Sequence, residues 1–251
     1  AVPAIQVSRK IRQVTKTLEF SSMISKDDTV KLFNELYGLV KGNDTKQREF
    51  GVGKGIAGFV TVLNKHQDDM AVLESGFPVI AELANIETNR DALALLGCIE
   101  FVLIAMLANE EGLVIQERGC NAIASLAKTP KYQEWVVASN GIEVIITIQS
   151  AFKSNVKIQT ACLRAMHNLA RDNRENTFNI TAKGGVRSLM EIVKLPEHGK
   201  VLEFQMEACA TMATLARTND SNRGSIAAAG GLDVTLKAIK TFPRDEGLLT
   251  V

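Results

Sequence analysis

Four 14-residue strings in this chain align without a gap: AVLESGFPVIAELA (71–84), VIQERGCNAIASLA (114–127), KIQTACLRAMHNLA (157–170) and EFQMEACATMATLA (203–216). Each ends in Leu-Ala, at Leu83-Ala84, Leu126-Ala127, Leu169-Ala170 and Leu215-Ala216. Successive strings begin 43, 43 and 46 residues apart. A fixed period of this size means one supersecondary unit copied in tandem, each copy burying its apolar face against the next. The question of function therefore moves from chemistry to surface.

Apolar residues make up 46% of the chain and aromatic ones only 5%, with Trp135 the single tryptophan. That balance suits helices packed through Leu, Ile, Val and Ala, since sheets draw more on aromatic and β-branched residues. The repeat predicts one elongated domain over 1–251. The net charge of +1 offers no global attraction for nucleic acid. No run reaches the roughly 20 apolar residues that span a bilayer. The chain opens on Ala1-Val2-Pro3 with no initiating Met and no secretory signal, so an earlier segment is expected to have been removed. Cys98, Cys120, Cys162 and Cys209 are spread over separate repeats, which predicts reduced, buried thiols and a cytoplasmic protein.

Each unit reads as a short, a medium and a long helix. In the central copy Gly141 precedes the apolar segment IEVIITIQSAF, and Ser154-Asn155 break it and cap the next helix. The long helix carries Ile158, Ala161, Cys162, Ala165 and Leu169 at 3-and-4 spacing. NRENTFNITA forms the short first helix of the following unit. Glycines at the joint (Gly55, Gly97, Gly141, Gly185, Gly231) are expected to make the sharp turn. Boundaries fall near 1–53, 54–96, 97–140, 141–184 and 185–230. A partial unit, 231–251, is expected to hold a second helix only. Pro78 is expected to kink its helix or reset its start. The three extra residues of the last step fall in a surface loop, Lys194–Gly199.

The three-helix unit, the joint glycine and the Ala165-x-x-Asn168-Leu169-Ala170 ending resemble the armadillo repeat over roughly residues 26–241. The HEAT repeat is the competing pattern, but it lacks the short first helix and the joint glycine. The resemblance implies an all-α, armadillo-type right-handed superhelical solenoid of three-helix repeats.

Residues with a chemical look have structural explanations. Gly53, Gly55 and Gly58 spell G-x-G-x-x-G, yet a dinucleotide site needs a strand before the motif and an acidic residue after a second strand. Here the motif falls at a joint between helices, so no cofactor is expected. His66, His167 and His198 are too scattered for a metal site or a triad. Asp68-Asp69 and Glu110-Glu111 sit at helix starts, where carboxylates cap and oppose the dipole. No enzyme is expected.

The resemblance further implies that the third helices line a concave groove that binds a protein segment. The column that often holds a peptide-binding Asn contains Glu82, Ser125, Asn168 and Thr214. The column where nuclear-import receptors carry Trp contains Pro78, Asn121, Arg164 and Ala210. The Trp/Asn ladder is thus missing, which argues against basic nuclear-localisation peptides. One turn beyond the Asn column lie Asn85, Lys128, Arg171 and Arg217. With Arg118 and Arg164 these make the expected groove basic and its partner acidic. The competing explanation for Lys128, Arg171 and Arg217 is that cations are favoured at helix C-termini. The candidate groove set is Arg118, Asn121, Lys128, Arg164, His167, Asn168, Arg171 and Arg217. Gln116, Gln159 and Gln205 form a further column, suited to a partner's main chain or to the neighbouring repeat.

The basic stretch Arg9, Lys10, Arg12, Lys16, interleaved with Ile5, Val7, Ile11, Val14 and Leu18, reads as a capping helix or as a helix facing an anionic membrane. The expected function is a non-catalytic adaptor or scaffold. The chain's length also resembles apicomplexan proteins made of little but armadillo repeats. That resemblance implies a scaffold on the cytosolic face of an organelle membrane, tethered through an N-terminal anchor missing from this chain. Its roles would be rhoptry positioning and recruitment of a myosin motor. Two alternatives stand beside it: a structural subunit of a large assembly, and a nuclear-transport or transcription adaptor.

Overall fold

The computed structural model describes residues 8–19, 24–217 and 219–250. All regular structure among them is helical. The chain opens with α1 (Arg9–Glu19) and α2 (Lys26–Val40). Three-helix repeats follow: α3 (Asp44–Val52), α4 (Gly55–Lys65) and α5 (Met70–Leu83), then α6 (Glu87–Leu95), α7 (Cys98–Ala108) and α8 (Leu113–Leu126). The next are α9 (Pro130–Ala138), α10 (Gly141–Ala151) and α11 (Val156–Ala170), then α12 (Arg174–Ala182), α13 (Gly185–Ile192) and α14 (Leu202–Arg217). The last are α15 (Asp220–Ala228), α16 (Gly231–Thr241) and α17 (Glu246–Thr250). So the final repeat also holds a short third helix, α17, where a second helix alone was expected. Two compact units arise, residues 1–126 and 127–251. In the first, the third helices stack as α2 on α5 and α5 on α8; in the second, α11 stacks on α14.

In α11, Ile158, Ala161, Cys162, Ala165 and Leu169 are all buried, as the 3-and-4 spacing requires. Asn155 caps this helix by accepting from the Ile158 amide at 3.2 Å. Asp69 does the same for α5, accepting from Val72 at 3.1 Å. At α8, however, Gly112 stands at the helix start, its carbonyl accepting from Gln116, so Glu110 and Glu111 lie outside the cap. All four cysteines are free and buried. Burial pushes the Cys98 thiol up to about 12. α1 buries Ile11, Val14 and Leu18 and leaves Arg9, Lys10, Arg12 and Lys16 exposed, the arrangement of a cap on α3 and α4. Ile5 and Val7, expected on the same helix, lie outside the described residues, as does Val251.

The glycine joint differs from expectation in register. The left-handed residue is the one just before the second helix: Lys54 (φ 61°), Gly97 (79°), Asn140 (59°), Gly184 (84°) and Gly230 (85°). Gly97 thus makes the turn, but Gly55, Gly141, Gly185 and Gly231 are the first helical residues after it. Gly55, Gly185 and Gly231 need space: a Cβ at Gly55 would lie 2.4 Å from the Phe50 ring, and one at Gly185 2.5 Å from Ile180.

At Pro78 the expected reset does not occur, because α5 runs through it as one helix. A proline in a helix lacks the N–H that would bond the carbonyl four residues earlier, here that of Glu74. Arg118 of α8 donates its Nη1 to that carbonyl. The neighbouring repeat therefore supplies the donor that proline removed.

Candidate functional site

The residues expected to line a groove lie on the third helices or just past their ends. On the first unit, half-buried Arg118 and Asn121 stand on α8, beside Glu74, Pro78 and Glu82 of α5. Arg118 is held by the Glu74 carbonyl. Glu82 occupies the Asn column and is turned inward as an acceptor: its Oε2 takes the Gly42 amide at 3.0 Å and Gln47 Nε2 at 3.3 Å.

On the second unit α11 presents Arg164 and His167 towards α14, while Asn168 meets α9 and, just past the helix end, Arg171 meets the preceding repeat. The Arg164 guanidinium spans two carboxylates, with Nε 2.7 Å from Glu207 Oε1 and Nη2 2.7 Å from Glu203 Oε1. Burial alone would lower its pKa, but Glu207 and Glu203 outweigh burial and hold it above the ordinary value. Part of the expected basic character is thus neutralised within the protein. His167 Nδ1 lies 3.0 Å from Thr214 Oγ1 and 3.3 Å from the Ala210 carbonyl. Burial depresses its pKa. Asn168 is buried, and its carbonyl accepts from Gln133 Nε2 at 2.7 Å.

Lys128, Arg171 and Arg217 occupy the helix-end row. Arg171 Nη2 donates to the Lys128 carbonyl at 2.7 Å, and Arg217 Nη2 reaches Asp172 Oδ1 at 3.1 Å. Both contacts run from one repeat to the next. The row therefore satisfies helix-end carbonyls and a carboxylate as well as carrying positive charge.

The glutamine column serves the repeat itself. Gln116 Nε2 donates to the Met106 and Asn109 carbonyls at 2.8 and 2.9 Å; Gln159 Nε2 does so to Gln149 and Phe152 at 2.7 and 2.9 Å. Gln205 Nε2 reaches the His198 carbonyl at 3.2 Å. Each amide satisfies carbonyls at or beyond the end of its second helix. In the last case the acceptor lies in the Lys194–Gly199 loop, anchored by buried His198. That imidazole bonds the Ile192 carbonyl at 2.9 Å and lies 4.5 Å from the Phe204 ring.

Sequence reasoning passed over Glu74, Glu203, Glu207 and Gln133. A signal for several of them exists. Arg164 lies 39 and 43 residues from its carboxylates, Arg118 lies 44 from Glu74, and Arg171 lies 43 from Lys128. Pairing charges one repeat period apart would have found the Arg164 clasp.

The glycine-rich motif lies in packing. Gly53 closes α3, Gly55 meets Phe50, and a Cβ at Gly58 would lie 3.0 Å from Leu18 Cβ. Among the described residues no group of three His, Cys, Asp or Glu is placed to hold a metal ion. No single described helix is long and apolar enough to cross a membrane.

No protein-family model and no curated protein matches the chain. Solved structures do. A designed armadillo repeat protein superposes with a TM-score of 0.77 at 15% identity, over 96% of this chain and 95% of that one. A second such design, in complex with the peptide (KR)4, gives 0.74 at 14% identity over 96% and 95%. A chain from work on a phosphorylation switch controlling the interaction between cadherin and beta-catenin gives 0.72 at 16% identity, over 95% of this chain and 42% of that one. With the repeat of short, medium and long helices already in view, these likenesses identify the fold as an all-α solenoid of armadillo type.

Proposed function

We propose that the protein is a non-catalytic scaffold that holds a partner segment along its third-helix face, and that over the second unit this segment is acidic. The observation that carries the proposal is the charge of that face. From the end of α8 along α11 and α14, Lys128, Lys157, Arg164, Arg171 and Arg217 stand against Glu203, Glu207 and Asp172, five cations to three carboxylates, a surplus of two positive charges. The armadillo-type neighbours support a peptide as the occupant, since one of them holds (KR)4. The charge on this chain's second unit favours the opposite sign of peptide. Complementary charge across such a face mainly adds steering and specificity. Organelle attachment and motor recruitment rest on the sequence resemblance alone and form no part of this proposal.

The clasped Arg164 is a poor probe, because reversing it would set three carboxylates together. The test neutralises Lys128, Arg171 and Arg217 to Gln and measures binding of a labelled (Asp-Glu)4 peptide to the whole chain by anisotropy. The expected result is saturable binding that weakens at least tenfold in the triple variant and falls with added salt. Equal binding by a folded triple variant refutes the proposed face.

A further inference from the structure

At two solvent-facing positions α7 differs from every other second helix. Ile104 is 66% exposed and Leu107 is 50% exposed. Thr61, Thr147, Glu191 and Lys237 occupy the Ile104 position in the other repeats; Asn64, Ser150, Lys194 and Lys240 occupy that of Leu107. All eight are exposed, so the position faces solvent in every repeat, and only α7 makes it apolar. The patch runs on at both ends. Half-buried Phe101 lies one turn before Ile104, and a shallow cleft of about 510 Å³ joins Leu107 to Met70 beside the Asn109–Gly112 turn. Met70 itself is 49% exposed.

The helices α6 and α7 and the turn after them carry exposed charge of one sign. Residues 87–112 carry five carboxylates, Glu87, Asp91, Glu100, Glu110 and Glu111, and one cation, Arg90. Arg90 is buried, its Nε donating to the Ala84 carbonyl at 2.9 Å. The surface therefore presents an apolar stripe with Glu100 at its start and Glu110 and Glu111 just past its end. Large apolar residues in a row on a solvent face mark contact surfaces.

We propose that the outward face of α7 is a second docking surface, separate from the third-helix face, and that its occupant is a cationic amphipathic helix of a partner protein. Such a helix places apolar residues at i, i+3, i+4 and i+7 on Phe101, Ile104 and Leu107, with Lys or Arg on its flanks against the carboxylates. A second copy docked through the same patch would set carboxylates against carboxylates. The basic helix α1 does not supply the complement either, because its apolar side is already packed on the protein. An anionic lipid surface is repelled by the same charges.

The test uses the whole chain and a labelled 20-residue helical peptide with Leu at i, i+3, i+4 and i+7 and Lys elsewhere. A Glu-for-Lys version of the peptide and a scrambled one serve as comparisons. The protein variant is Ile104→Thr with Leu107→Asn, the residues that α4 carries at these positions. The expected result is that the Lys peptide binds the native chain, that the double variant loses at least tenfold in affinity at unchanged melting temperature, and that the Glu and scrambled peptides bind at least tenfold more weakly. Three results each overturn the proposal: undiminished binding by the double variant, equal binding of the Glu peptide, and a native dimer in sedimentation that the double variant dissolves. Failure here leaves the third-helix face untouched, since its test uses other residues and an acidic peptide.

Discussion

Gln149 is the position where substitution should reveal most about how the repeats are held. Its side chain is fully buried in α10, and neither Nε2 nor Oε1 has a hydrogen-bond partner among the protein atoms. The equivalent residues in the other repeats are Leu63, Met106, Val193 and Ile239, all apolar. A buried polar group left unsatisfied costs about 1–3 kcal/mol. Methionine has nearly the length and volume of glutamine, so Gln149→Met opens no large cavity and strains little. The variant should therefore be more stable by about 1–3 kcal/mol. For a chain of this size that corresponds to a rise in Tm of about 2–12 °C, at roughly 2–4 °C per kcal/mol. Gln159→Met provides the contrast. It is the same exchange at a buried glutamine whose Nε2 makes two hydrogen bonds, at 2.7 and 2.9 Å. It should destabilise by about 1–3 kcal/mol. Thermal melts followed by circular dichroism, with urea midpoints at constant slope, measure both. A loss of stability in Gln149→Met would refute the reasoning, because it would mean that this amide makes hydrogen bonds of its own in solution.

Pro78→Ala restores an N–H for the Glu74 carbonyl, so Arg118→Met should cost less in that background than in the native chain, with a coupling of about 1 kcal/mol or more. Additive effects in the double-mutant cycle would detach Arg118 from the proline. The depressed pKa of His167 means that the unfolded chain binds that proton more tightly than the folded one. Stability should therefore be level above the ordinary value of 6.5 and fall as pH drops below it. His167→Gln should flatten the dependence between about pH 6.5 and 5, above the range in which Asp69 and Glu49 titrate. An identical slope in the variant would remove His167 as its cause.

The repeat was legible in the chain itself. The Leu-Ala endings and the 43-residue step follow from the need of every copy to bury the same face against a like neighbour. The same spacing in α11 told which residues go inward. The buried thiols of Cys98, Cys120, Cys162 and Cys209 could be read from their scatter through these columns. Local rules were less sufficient at the joints, because the left-handed residue and the close-packed glycine sit side by side. Only the position of Phe50 or Ile180 shows which of the two needs space and which needs the turn.

What the tertiary structure alone decided was the state of each charge. Arg118 and Arg164 read along the chain as free cations on a helix face. Stacking brings Arg118 to the carbonyl that Pro78 leaves open, and Arg164 between Glu203 and Glu207. These partners lie a full repeat away in sequence. A helix-face pattern describes one helix at a time, whereas a hydrogen bond or ion pair depends on two helices meeting in register. For the same reason the apolar face of α7 was indistinguishable in sequence from a buried one. Hydrophobic spacing says that a stripe exists; only packing says which stripes have been covered.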